Sequence, residues 1–166
     1  KIYVGASRCA SCHQQETAQW KSHKHSKAMK ALLDKQMQFN PDCLRCHTVA
    51  FGKPGGFTDL RVTPFLANVQ CESCHGPGKE HMEEERKIAA MSEAERATIQ
   101  RKAKMNMTFD AQFCMQCHDP ENDPHFDFAL DIQHVIHTST QPNRTRVTTS
   151  PMQMGMSAAS VSQSGH

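Results

Sequence analysis

Four times in this chain two Cys stand three residues apart with a His directly after the second: Cys9-Ala10-Ser11-Cys12-His13, Cys43-Leu44-Arg45-Cys46-His47, Cys71-Glu72-Ser73-Cys74-His75 and Cys114-Met115-Gln116-Cys117-His118. All eight Cys of the sequence are used, so none is left over for a conventional disulfide. C-x-x-C-H is the attachment signal for c-type haem. On a helical turn residues three and four apart share a face, so both thiols reach the two vinyl groups of one haem while the His points at its iron. Zinc or local disulfides would not require a His after every Cys pair. The expectation is four covalent haem c groups, each held by its Cys pair, with His13, His47, His75 and His118 as proximal iron ligands.

Composition agrees with a cofactor-filled interior. Only 37% of the 166 residues are hydrophobic, with one Trp and one Tyr. Such a chain buries a thin side-chain core, too little to offset its conformational entropy without other apolar surface. Four macrocycles supply that surface. The formal charge is +2 with no long Lys/Arg block, which gives no reason to expect nucleic acid. No apolar run approaches the eighteen or so residues of a membrane span. Because thioethers form after export, the chain is expected to be exported with its leader removed, and to work in the periplasm or at the cell surface.

With four of eleven His in the motifs, seven remain: His23, His25, His81, His125, His134, His137 and His166. A surplus of His over irons favours His on both sides of each iron and low potentials, since Met ligation would raise them. The ten Met are read as packing or exposed residues. The distal candidates are, in order, His25, His81 and His137, then His134 and His23.

Gln14 to Leu33 reads as one helix carrying His23 and His25 on nearly opposite faces. Gly52 to Gly56 reads as a loop, and Thr63 to Val69 as a short extended segment. Gly76-Pro77-Gly78 ends the third motif and delivers His81. Ser92 and Glu95 form a capping box that opens a helix from about Glu93 to Lys104. Glu83 to Lys87 reads as a solvated helix face. Asp119 to Pro124 is a turn-rich loop whose carboxylates lack calcium-loop spacing. The apolar run from Phe126 ends in His134 and His137, on one side of the chain if helical. From Thr138 the composition shifts to Ser, Thr, Gln, Met and Pro without apolar period, giving a domain over residues 1–140 and an extended tail over 141–166. Asn106 and Asn143 match the glycosylation sequon, a weak signal.

Three patterns resemble the cytochrome c-554 family of multihaem cytochromes. The first runs from Tyr3-Val4-Gly5 through the first motif to Trp20-Lys21-Ser22-His23-Lys24-His25 and Ala28. The second is the third motif followed by Gly76-Pro77-Gly78 and His81. The third is Phe126-Asp127-Phe128 followed by Ile136-His137. The resemblance implies distal ligation by His25 and His81. It also implies a fold of mostly α-helix and irregular loops, with little or no sheet, wrapped round four closely packed haems. The family's second haem can lack a distal protein ligand, whereas this chain has spare His to fill the place. In its spare His and long tail the chain also resembles in design the filament-forming outer-surface tetrahaem cytochrome of Geobacter.

The expected function is electron transfer along closely spaced bis-His haems, with redox proteins or extracellular electron acceptors as partners. Self-association into a conducting filament, with the tail on the neighbouring subunit, is one form of it, and a soluble periplasmic shuttle is the alternative. A haem reductase of small nitrogen oxides needs an open iron. Seven spare His speak against one, so the chain is expected not to be an enzyme.

Overall fold

The computed structural model describes residues 2–137 and the backbone of Arg146 and Val147; the tail over 141–166 otherwise lies outside the described residues, as does the sequon at Asn143. Short helices joined by irregular loops make up the described residues: α1 (Ala6–Cys9), α2 (Gln14–Ser22), α3 (Ala28–Asp34), α4 (Pro41–His47), α5 (Cys71–His75), α6 (Lys79–Ala89), α7 (Glu93–Thr98), α8 (Ala111–Cys114) and α9 (Phe128–Val135). The sheet is minimal. Strand β1 (Thr108–Phe109) pairs in parallel with β2 (Arg146–Val147). This is the mostly helical, nearly sheet-free architecture expected.

Side-chain packing concentrates round the second motif. Met29 and Leu32 of α3 meet Leu44 of α4, Val49, Phe57, Leu66 and Ala67, with Val49 and Leu66 fully buried. Burying each of these larger side chains contributes roughly 1.5–3 kcal/mol. The loop after α4 is folded onto this cluster by its backbone, since Val49 N donates to Leu66 O and Phe57 N to Val49 O, both at 2.9 Å. Gly56 permits that return, because a Cβ there would collide with the Ala50 carbonyl.

A second tie crosses the chain. The Glu72 side chain, inside the third motif and buried, accepts N–H groups from Val4, Gly5 at 2.8 Å and Gly78 at 2.6 Å. A buried carboxylate must be satisfied in this way to be tolerated. It locks the irregular segment at Val4 and Gly5 against the third motif.

The helix expected from Gln14 to Leu33 is broken at His23, whose ψ of 155° is extended. Polar side chains compete with the helical ladder there: the Ser26 hydroxyl donates to the carbonyls of Lys21 and His23, and His25 N donates to His23 Nδ1. Lys24–Lys27 forms a 3₁₀ turn before α3 begins. Thr63 to Val69 is extended only in part, at Ala67, which forms an antiparallel bridge with Thr48. Pro64, with its fixed φ, starts a 3₁₀ turn over Pro64–Leu66. The capping box at Ser92 and Glu95 forms, but α7 stops at Thr98. Beyond it Glu84 accepts the N–H groups of Lys102 and Ala103, and Glu85 pairs with Arg101 at 2.6 Å, so the segment is strapped along α6 instead of continuing as helix. Glu84 and Glu85 are thus tethers rather than a merely solvated face.

Candidate haem-binding site

Each Cys-pair motif lies on a helical turn. The second and third occupy α4 and α5, and in the first and fourth the turn closes when His13 N donates to Cys9 O at 2.9 Å and His118 N to Cys114 O at 3.0 Å. The thiols of all eight Cys are free. The motifs are also close to one another. The Cys9 thiol lies beside that of Cys71, the Cys46 thiol donates to the Gln116 carbonyl of the fourth motif at 3.8 Å, and Cys74 lies near Cys114. The attachment turns therefore run in the spatial order first, third, fourth, second. That order has no counterpart in the chain order.

Three imidazole pairs bridge the motifs. His13 faces His81 with ring centroids 6.3 Å apart, His75 faces His137 at 6.2 Å, and His118 faces His25 at 5.9 Å. Two imidazoles bound to one metal from opposite sides, through bonds of about 2 Å, have centroids about 6 Å apart. The spacing fits an iron between each pair. His13–His81 and His75–His137 are near parallel, at 29° and 22°, and His118–His25 is tilted at 56°.

The environment favours neutral rings, the form that donates a lone pair to a metal. Burial, with His23 and His118 nearby, pulls His25 down to about 4. Burial also lowers His75 and His137. Nδ1 of His137 is buried with no hydrogen-bond partner among the described residues, a ring held by packing and still lacking a polar contact. Among the described residues no group of three or more His, Cys, Asp or Glu converges as an ion site.

Three motif His have their far nitrogen fixed. The Nδ1–H of His47 donates to the Ala28 carbonyl and that of His75 to the Asn106 carbonyl, each at 2.7 Å, and that of His118 to the Asp123 carboxylate at 2.8 Å. Such bonds hold a ligating ring in the tautomer that frees Nε2. Sequence reasoning missed all three acceptors. Two are backbone carbonyls without side-chain signature, whereas Asp123 stood in a loop dismissed as a poor calcium site.

His23 and His134 are not brought opposite a motif His in a ring pair. His23 packs edge-on against His25 at 4.6 Å rather than on the opposite face, because the helix breaks between them. Exposed His134 lies near His23. It is the penultimate residue of α9, while His137 lies beyond the helix end, where the Ile136 carbonyl accepts Gln19 Nε2 at 2.6 Å; the two do not share a helical side. Among the described residues no second imidazole forms such a pair with His47; His166 lies outside them.

A family model described as "Cytochrome c554 and c-prime" matches residues 8–76. The curated cytochrome c-554 of Nitrosomonas europaea is 34% identical over 134 residues, covering 70% of this chain. The match spans 57% of that relative's length. A solved structure, the reduced state of cytochrome c554 from Nitrosomonas europaea, matches with a TM-score of 0.62 at 27% identity over 81% of this chain and 83% of the other. No helix of the described residues is long and apolar enough to cross a membrane.

The expectation that the chain is not an enzyme is corrected. Likeness to cytochromes speaks for electron transfer and gives no ground for excluding a reaction. Among the described residues no imidazole stands opposite His47. The filament-type resemblance finds no counterpart in these relatives. Four Cys-x-x-Cys-His turns and a fold shared with cytochrome c554 agree: the chain binds four covalent c-type haems, and its residues 8–76 are similar to the cytochrome c554 family.

Proposed function

We propose that this chain carries electrons through four haems attached at Cys9/Cys12, Cys71/Cys74, Cys114/Cys117 and Cys43/Cys46, in that spatial order. Three irons are closed by His13 with His81, His75 with His137, and His118 with His25. The observation that carries the reading is the set of three cross-motif imidazole pairs at 5.9–6.3 Å. Each distal His comes from a segment following another motif, so every closed haem ties two parts of the chain together. When bound, the haems supply the one-electron couple; the protein's residues hold them close, exclude water and set their potentials.

Substituting His81, His137 or His25 by Ala one at a time tests it. The thioethers survive, and each variant gains one high-spin iron in its oxidised spectrum. A variant whose spectrum is unchanged removes that residue from the ligand set.

A second reading concerns the haem held by His47. With no imidazole opposite among the described residues, its iron offers a place for a small ligand, and reduction of a small nitrogen oxide fits that place. Carbon monoxide binding to one haem in four of the reduced protein, with turnover of nitric oxide, supports it; no ligand binding removes it.

The carrier is read as an exported periplasmic shuttle serving redox proteins rather than as a filament subunit. All three imidazole pairs form within one chain, so none of those irons waits for a neighbour's His. Sedimentation of the holoprotein as a monomer supports the shuttle, and filaments in micrographs reverse the choice.

A further inference from the structure

The proximal His differ in what holds their second nitrogen. His47 and His75 donate to neutral backbone carbonyls, while His118 donates to the carboxylate of Asp123. The loop that follows the fourth motif is built for this contact. Asp119 turns the chain by accepting the N–H groups of Glu121 and Asn122, its carbonyl accepts Asp123 N at 2.8 Å, and Phe126 N donates back to the Asp123 carbonyl at 3.1 Å. Phe126 then lays its ring on the His118 imidazole, centroids 4.8 Å apart and planes within 22°. Ring plane and ring proton are both fixed by residues of one nine-residue loop.

We propose that Asp123 is a positioning residue that lowers the reduction potential of the haem held by His118, setting it apart from the haems on His47 and His75. Rather than a cation site, the carboxylate-bearing loop is a tuning device for one iron. A charge-assisted hydrogen bond is roughly twice as strong as one to a neutral acceptor, and it draws the Nδ1 proton toward oxygen. The imidazole becomes a better electron donor to its metal, which favours the ferric over the ferrous state. The side chains of His118 and Asp123 are 34% and 40% exposed, so water screens the bare field of the carboxylate. The effect therefore travels mainly through the ring and depends on contact, not on net charge.

The proposal rests on His118 being an iron ligand, so the experiment separates the two. Spectropotentiometric titration of the four-haem protein is compared for wild type, Asp123→Asn and Glu121→Gln; the last removes an exposed carboxylate of the same loop that does not bond to His118. In Asp123→Asn one of the four potentials rises by at least a tenfold change in the reduced-to-oxidised ratio, 59 mV for a one-electron couple. The other three, and all four in Glu121→Gln, move by less than twofold in that ratio. No shift in Asp123→Asn, or equal shifts in both variants, overturns the proposal. Should Asp123→Asn fail to mature, the reduced wild-type protein labelled at its His nitrogens decides: with carbon monoxide closing any open iron so that every ferrous haem is low-spin, the His118 Nδ1–H resonance lies clearly downfield of those of His47 and His75, and resonances all alike overturn the proposal. A His118→Ala variant whose haem spectrum is unchanged from wild type would instead mean that the ligand assignment itself is wrong.

Discussion

The stretch from Met29 to Ala67 and the stretch from Thr108 to His137 carry one attachment motif each and are built in opposite ways. In the former, α3, α4 and the following loop enclose Val49, Phe57 and Leu66 in a side-chain core, and His47 is the motif His without an imidazole opposite among the described residues. In the latter, α8 and α9 bury no residue fully, Leu130 is 64% exposed, and His118 and His137 are both engaged in ring pairs with distant segments. Where side chains fill the interior, no imidazole stands opposite the motif His among the described residues; where they do not, the proposed haem and axial bonds would hold the fold.

The largest effect expected from that contrast follows loss of one haem. Replacing Cys114 and Cys117 by Ala leaves residues 108–137 without their filler, and amide exchange there should speed up by about 100-fold or more, while Val49 and Phe57 amides keep their protection. Equal loss in both regions would erase the distinction.

Core truncation comes next. Leu66→Ala should cost about 2–5 kcal/mol in denaturant unfolding of the holoprotein, against less than about 0.5 kcal/mol for Leu130→Ala at its exposed position. A costly Leu130→Ala would place a haem face against that side chain.

The seam between the first and third motifs gives a smaller effect. Glu72→Gln keeps the shape but loses acceptor capacity for Val4, Gly5 and Gly78, and should destabilise by about 1–3 kcal/mol. Unchanged stability would mean that water or the amide oxygen satisfies those donors.

The attachment turns were legible in the sequence because their chemistry is local: residues three and four apart must share a face. His25, His81 and His137 were singled out, but which motif each faces was not, since His13 meets His81 and His75 meets His137 only after the whole chain has folded. The helix break at His23 was missed because Ser26 competes for backbone carbonyls in a segment whose apolar spacing looks helical. The role of Asp123 was hidden for a similar reason; turn residues announce a loop, not where it aims a carboxylate.

The smallest effect concerns the strap along α6. Backbone N–H groups of Lys102 and Ala103 hold the Glu84 carboxyl below its usual range. A carboxylate with a lowered folded-state value contributes its tethering above the ordinary carboxylate range and loses it as pH falls through the folded value. Amides of Lys102 and Ala103 should therefore lose protection in mild acid, below about pH 4.5, with the Met29–Ala67 core unaffected, and Glu84→Gln should abolish the pH step.

The central claim is that three irons are closed by imidazole pairs from one chain and the fourth is held by His47 alone. Electron paramagnetic resonance of the oxidised four-haem protein counts this directly. The account predicts three low-spin signals of bis-imidazole type and one high-spin signal, the latter lost on adding a small exogenous ligand; four low-spin signals, or any Met-ligated haem, would contradict it.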